Sequence, residues 1–90
     1  MIQPRPNDSN SITVALQALA VSLEDETRAE RLLSLTGLSP ADLRRSASEP
    51  AVLAAVLRFL EDHEPDLLAV SGQLSLKPQE LVAARIALEE

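Results

Sequence analysis

Ninety residues, 46% of them hydrophobic, suffice for one core and leave too little for a second. The absence of cysteine excludes disulfides and thiolate metal sites, and Phe59 as the sole aromatic residue argues against an aromatic-rich β-sandwich. A net charge of -6 argues against a nonspecific grip on nucleic-acid phosphates or anionic lipid.

Pro4 and Pro6, set among Asn, Asp and Ser, remove backbone donors and offer no apolar face, so residues 1–9 are expected to form a disordered tail. The tail lacks the basic-then-apolar order of a secretory signal. The uncharged run from Ser9 to Leu23 falls short of the ~20 apolar residues that cross a bilayer. A soluble, cytoplasmic protein is the expectation.

Asn10 or Ser11 can cap a first helix running to about Leu23, with Ile12, Leu16, Leu19 and Leu23 recurring on one helical stripe. A second helix, about Asp25 to Thr36, presents Ala29, Leu32, Leu33 and Leu35, and Gly37 supplies a left-handed stop. Ser39, Pro40 and Asp42 have the order of N-cap, first helical position and capping-box partner, and Leu38 with Leu43 fits a hydrophobic staple. They predict a short third helix from about Pro40 to Ala47.

Ser48-Glu49-Pro50 restarts the pattern. The fourth helix, about Glu49 to Asp62, is apolar nearly all round and includes Phe59, so it belongs at the centre of the core. A fifth helix starts at Pro65 and ends at Ser71-Gly72. A sixth runs from about Pro78 to Leu88, with Leu81, Val82, Ile86 and Leu88 apolar and Arg85 snorkelling at the edge.

The same signals occur twice in the same order. Leu32 to Gly37 is answered by Leu67 to Gly72, and Leu38 to Leu43 by Leu76 to Leu81. Val14-Ala15-Leu16 corresponds to Ala51-Val52-Leu53, and Leu23-Glu24-Asp25 to Leu60-Glu61-Asp62. The expected fold is therefore all-α, a single compact bundle of five or six short helices over residues 10–90, in two quasi-equivalent three-helix halves (about 10–47 and 48–90). Each half alone leaves an apolar face bare.

The polar constellations are thin. Glu61-Asp62-His63-Glu64, with Asp66 nearby, is the one place where metal or acid/base chemistry could start, but Glu64 directly follows the only histidine and no HExxH spacing exists. A solvated junction whose Asp62, His63 or Glu64 caps the fifth helix is the simpler account. Glu24-Asp25-Glu26 is the matching junction in the first half, and Glu24 with Arg28 forms an i, i+4 surface pair. Arg44-Arg45 could clamp an anion or contact an acidic partner, but a solvated face on a short exposed helix is the simpler account. No nucleophile elbow and no Gly-rich phosphate loop is present. No catalytic, cofactor or metal residue is assigned.

Leu-Thr-Gly-Leu-Ser-Pro-Ala-Asp-Leu-Arg (Leu35 to Arg44), Val-Leu-Arg-Phe-Leu (Val56 to Leu60), Pro78-x-Glu80 and Ala83-Ala84-Arg85 together resemble a family of short bacterial proteins known as a domain of unknown function, number 3572 in that series. The resemblance spans roughly Thr13 to Leu88. It implies no activity, ligand or catalytic residue. Where members tend to have Phe, this chain has Val21 or Ser22 and Val70, and His63 stands where Asp is more usual.

Three functional readings follow. The first is a small interaction or adaptor module that binds an unknown protein partner, or itself, through an apolar groove where the halves meet. The second is a metal-dependent or acid/base enzyme using Glu61 to Glu64. The third is an acidic regulator acting on a basic protein surface.

Overall fold

The structure, a computed structural model, describes residues 9–90. Six helices follow one another: α1 (Ser9–Glu24), α2 (Glu26–Thr36), α3 (Pro40–Ser46), α4 (Pro50–Glu61), α5 (Glu64–Gln73) and α6 (Pro78–Glu89). No strand occurs among the described residues. The all-α bundle expected from the sequence is the fold observed. The tail expected over residues 1–9 lies, as far as Asp8, outside the described residues, and Ser9 already belongs to α1. Asn10 and Ser11 accordingly stand inside the first turn and not ahead of it as caps. A first turn tolerates such residues because its N–H groups have no intrahelical partner in any case.

Local chemistry explains the other boundaries. Asp25 caps α2 by accepting from the Arg28 N–H at 2.9 Å, and Gly37 ends it in the left-handed conformation (φ 73). At α3 the Ser39 hydroxyl accepts from the Asp42 N–H and the Asp42 carboxylate from the Ser39 N–H, each at 3.1 Å, so the capping box forms in full with Pro40 at the start. Pro50, Pro65 and Pro78 each sit in a first turn, where a missing N–H costs nothing. Glu80 reaches back to accept from the Lys77 N–H at 2.8 Å.

One expected stop is displaced. Gly72 does not end α5 as Gly37 ends α2: α5 continues to Gln73, and the left-handed residue is Ser75 (φ 58). Ser75 N–H donates to the Gly72 carbonyl at 3.1 Å and Leu76 N–H to the Ser71 carbonyl at 2.9 Å, the bond pair of a Schellman ending. The extra turn carries Leu74 and Leu76 onto the core, a gain that outweighs the ~1 kcal/mol cost of a left-handed serine. The two glycines should therefore respond oppositely to alanine. A Cβ at Gly72 meets nothing and sits in a helix, so Gly72→Ala should raise stability by about 0.5–1 kcal/mol. Gly37→Ala has the same open space but a left-handed backbone, and should lower stability by about 1 kcal/mol. Chemical denaturation of both variants checks this; shifts of equal sign would contradict it.

The core gathers around α4, as its all-round apolarity predicts. Leu53, Ala54, Val56, Leu57, Phe59 and Leu60 are buried there, and α4 packs on α1, α2, α5 and α6. The first two helices of each half pack in matching ways: α1 on α2 and α4 on α5 within halves, α1 on α4, α1 on α5 and α2 on α4 between them. The third helices differ. α6 lies along both α4 and α1, whereas the shorter α3 makes no extensive contact with another helix and reaches the core through Leu43.

Helix α1 departs from the expected stripe. It buries Ala15, Ala18, Leu19, Val21 and Ser22, while Leu16 and Leu23 remain exposed. Small side chains on the buried face let neighbouring helix axes come closer than leucines would. Ser22 is accommodated because its hydroxyl donates to the Ala18 carbonyl at 2.7 Å. Leu35 and Ile86, also counted among apolar faces, point outward; α6 instead buries Leu81, Ala84 and Leu88, a strict i, i+3, i+7 row.

Candidate interaction site

The acidic turn does not form one site. Asp62, His63 and Glu64 are exposed, Glu61 turns toward α6, and Asp66 is buried on the other side of the turn. His63 occupies the N-cap position of α5 without a side-chain cap bond; its carbonyl accepts from the Asp66 and Leu67 N–H groups. Among the described residues, no three His, Asp or Glu side chains converge as a metal site would need. Each carboxylate that leaves the solvent is instead matched to arginine.

Asp66 is the clearest case. Its Oδ1 accepts from Arg28 Nε at 2.9 Å, and its Oδ2 lies 2.7 Å from Arg31 Nη2, a charge contact without directed hydrogen-bond geometry. Burial pushes the Asp66 carboxyl up, but the Arg28 hydrogen bond and the positive charges of Arg28 and Arg31 outweigh it and hold the group below the ordinary Asp range. Arg31 also lies over the Phe59 ring, 5.8 Å from its centroid, so one guanidinium ties α2 to both α4 and α5. Arg28 therefore does not make the expected i, i+4 pair with Glu24. A half-buried guanidinium gains more from a desolvated carboxylate than from an exposed one.

The signal for this contact lay in the repeat. If the correspondence of Leu32 with Leu67 is extended one residue upstream, Arg31 aligns with Asp66. A second network joins the far ends of α4 and α6. Arg85 Nε donates to Glu61, Arg85 Nη1 to Glu89 at 2.7 Å, and Arg58 Nη2 to Glu89 at 2.6 Å. Arg85 is thus paired, which corrects the snorkelling expected for it. The bond to Glu61 raises its pKa, and Arg58 foremost holds Glu89 below the usual carboxylate range.

A different surface lies on the first half. Between α1, α2 and α3 lies a groove of about 370 Å³, walled by Leu16, Leu19 and Leu23 on one side and by Leu33, Leu43 and Ala47 on the other. Arg44 is the only charged residue on its walls and forms no ion pair among the described residues. Its neighbour Arg45, by contrast, is held by Asp42 at 2.6 Å. This groove lies within the first half, while the junction of halves, where the sequence leads one to expect a groove, carries a recess of its own. The groove exists because α1 turns Ala15, Ala18 and Ser22 inward and leaves Leu16 and Leu23 partly exposed. A wider recess of about 500 Å³ between the end of α2 and α4 has Arg58 at its mouth, and that arginine is already engaged by Glu89.

The sequence fragments from Leu35 to Arg44 and from Val56 to Leu60 form the α2–α3 corner and the second half of α4, two parts of this architecture that meet across the core. A family model described as protein of unknown function (DUF3572) matches residues 8–90. The chain belongs to this family. No curated protein and no solved structure matches it. The DUF3572 match takes in all six helices, the groove and both ion-pair networks. Membership in DUF3572 brings no assigned activity. Among the described residues, no helix is long and apolar enough to cross a membrane.

Proposed function

We propose that this protein is a small interaction module whose working surface is the apolar groove between α1, α2 and α3. The observation that carries the reading is the exposure of Leu16 and Leu23, two turns apart on the stripe of α1 that lines the groove. Apolar residues that line one concave surface, unlike singly scattered ones, are the kind of feature that marks interaction sites. Five of the six arginines among the described residues are held by internal ion pairs, which leaves Arg44 at the groove as the arginine open to a partner.

A photoreactive amino acid placed at Leu16, with a second copy of the experiment at Ile86 on α6 as control, tests the reading inside cells. Ile86 is comparably exposed but lies outside the groove. One discrete adduct of defined mass from position 16, and none from position 86, is the expected result. No adduct at position 16, or the same adducts from both positions, would overturn it.

A further inference from the structure

The internal correspondence indicates what the groove is shaped to receive. Carried along α1 and α4, the pairing of Leu16 with Leu53 and of Leu23 with Leu60 also matches Leu19 with Val56 and Ala20 with Leu57. All four α4 residues have no exposed surface, whereas Leu16 retains 37% and Leu23 42% of theirs. Leu35 shows the same asymmetry: 74% exposed, against a fully buried counterpart at Val70. The second half is closed by its neighbours, with α6 lying along both α4 and α1. In the first half the equivalent third helix, α3, has seven residues against the twelve of α6, and does not cover α1.

Charge narrows the occupant. The groove carries one cation, Arg44, unpaired among the described residues, on a molecule of net charge -6. A second copy would bring its own -6 against the same surface. A generally acidic helix would be repelled in the same way. We infer that the groove receives an amphipathic helix of a partner protein, neutral or basic overall, with aliphatic anchors at i, i+3 or i+4 and i+7 and a single carboxylate set against Arg44. The inference rests on the interaction reading above and adds the partner's secondary structure and charge pattern. Leu16 and Leu23 supply the apolar contact, and Arg44 fixes the register by a charge-assisted bond at the rim.

The probe is a displayed library of stapled helical peptides of about 14 residues, with fixed Leu at helical spacing and varied residues between, selected on the full chain. Enriched peptides should carry one Asp or Glu at a constant offset from the leucines on a non-acidic background. Leu16→Gln and Leu23→Gln, both exposed and charge-neutral, should each weaken binding about tenfold while leaving the thermal melt unchanged. Arg44→Glu should weaken binding by about threefold to tenfold, and exchanging the peptide's carboxylate for Lys should restore it.

The inference fails if no helix is enriched, if Arg44→Glu leaves binding unaltered, or if the chain sediments as a dimer at tens of micromolar with position 16 protected in it. A cross-linked cellular partner at position 16 whose capture ignores Arg44→Glu would sink this inference and leave the interaction reading standing. Absence of any adduct at position 16 would sink the interaction reading and this inference with it.

Discussion

Leu57→Ala should destabilise this protein by about 3 kcal/mol, the middle of the range for emptying a buried leucine site. Leu57 has no exposed surface and sits on the helix that packs on α1, α2, α5 and α6. Cavities cost least when one neighbour can collapse into them. Here four helices converge on α4, and a shift by any one disturbs its contacts with the rest. A domain of this size has a total stability of about 5–13 kcal/mol, so one substitution removes a quarter to more than half of it. The midpoint of thermal unfolding should fall by about 15 °C or more. Leu35→Ala is the control: equally apolar in sequence but 74% exposed, it should change stability by less than ~0.5 kcal/mol. Urea denaturation of both variants, with similar slopes and separated midpoints, measures the contrast. Equal losses from the two would mean that the core is not organised about α4.

That contrast also marks what the sequence could and could not reveal. Breaks between helices were legible because their causes are local: the Ser39 capping box, the prolines at first turns and the left-handed Gly37 act within a few residues of themselves. The central place of α4 was legible because a helix apolar on nearly every face has no good solvent-facing side. Register was not. Helix α1 offers two apolar faces, one of Ala15, Ala18 and Ser22 and one of Leu16, Leu19 and Leu23, and hydrophobicity favours burying the second. The fold buries all of the first and only Leu19 of the second, with α1 packed along both α4 and α6. No periodicity within α1 contains that information. It is a property of how the neighbouring helices pack, and the groove is its direct consequence.

The stop at Gly72 misled for a related reason. Glycine is permitted in the left-handed conformation but is not obliged to adopt it, and the decision went to the placement of Leu74 and Leu76. The ion pairs were hidden in the same sense. Glu61, Asp62, His63, Glu64 and Asp66 form one acidic run in sequence, yet a helical start at Glu64 sends Asp66 inward while leaving Asp62 to Glu64 in water. Arg28 and Arg31, one turn apart on α2, present two guanidinium groups to one side, and that spacing is the sequence trace of the junction.

Asp66→Ala should be the most damaging substitution of a polar residue, costing about 2–3 kcal/mol. The carboxylate is almost wholly buried, with 5% of its side chain exposed, and removing it strands Arg28 (13% exposed) beside a void. Breaking a fully buried pair costs about 3–5 kcal/mol, and Arg31, at 38% exposed, can recover part of its hydration, which brings the figure down. The same contact makes stability depend on pH in a defined direction. Arg28 and Arg31 hold the Asp66 pKa below its unfolded value, so the folded state binds fewer protons than the unfolded state when that group titrates. Its contribution is complete above the unfolded Asp value of ~3.9 and is lost as the pH falls through the lower folded value. Asp42 and Glu89 shift in the same direction, Asp42 chiefly through the Ser39 N–H and Glu89 chiefly through Arg58, so acidification should weaken both ends of the molecule together. Asp66→Asn separates the contributions. It keeps the shape, removes the charge, and should flatten the fall in stability below about pH 4 relative to the parent chain, while Asp42→Asn, at an exposed cap, flattens it less. Urea midpoints measured from pH 6 down to pH 3 test this. If the Asp66→Asn curve runs parallel to the parent curve, the arginine pair does not govern the acid response, and Arg28 and Arg31 hold Asp66 for packing alone.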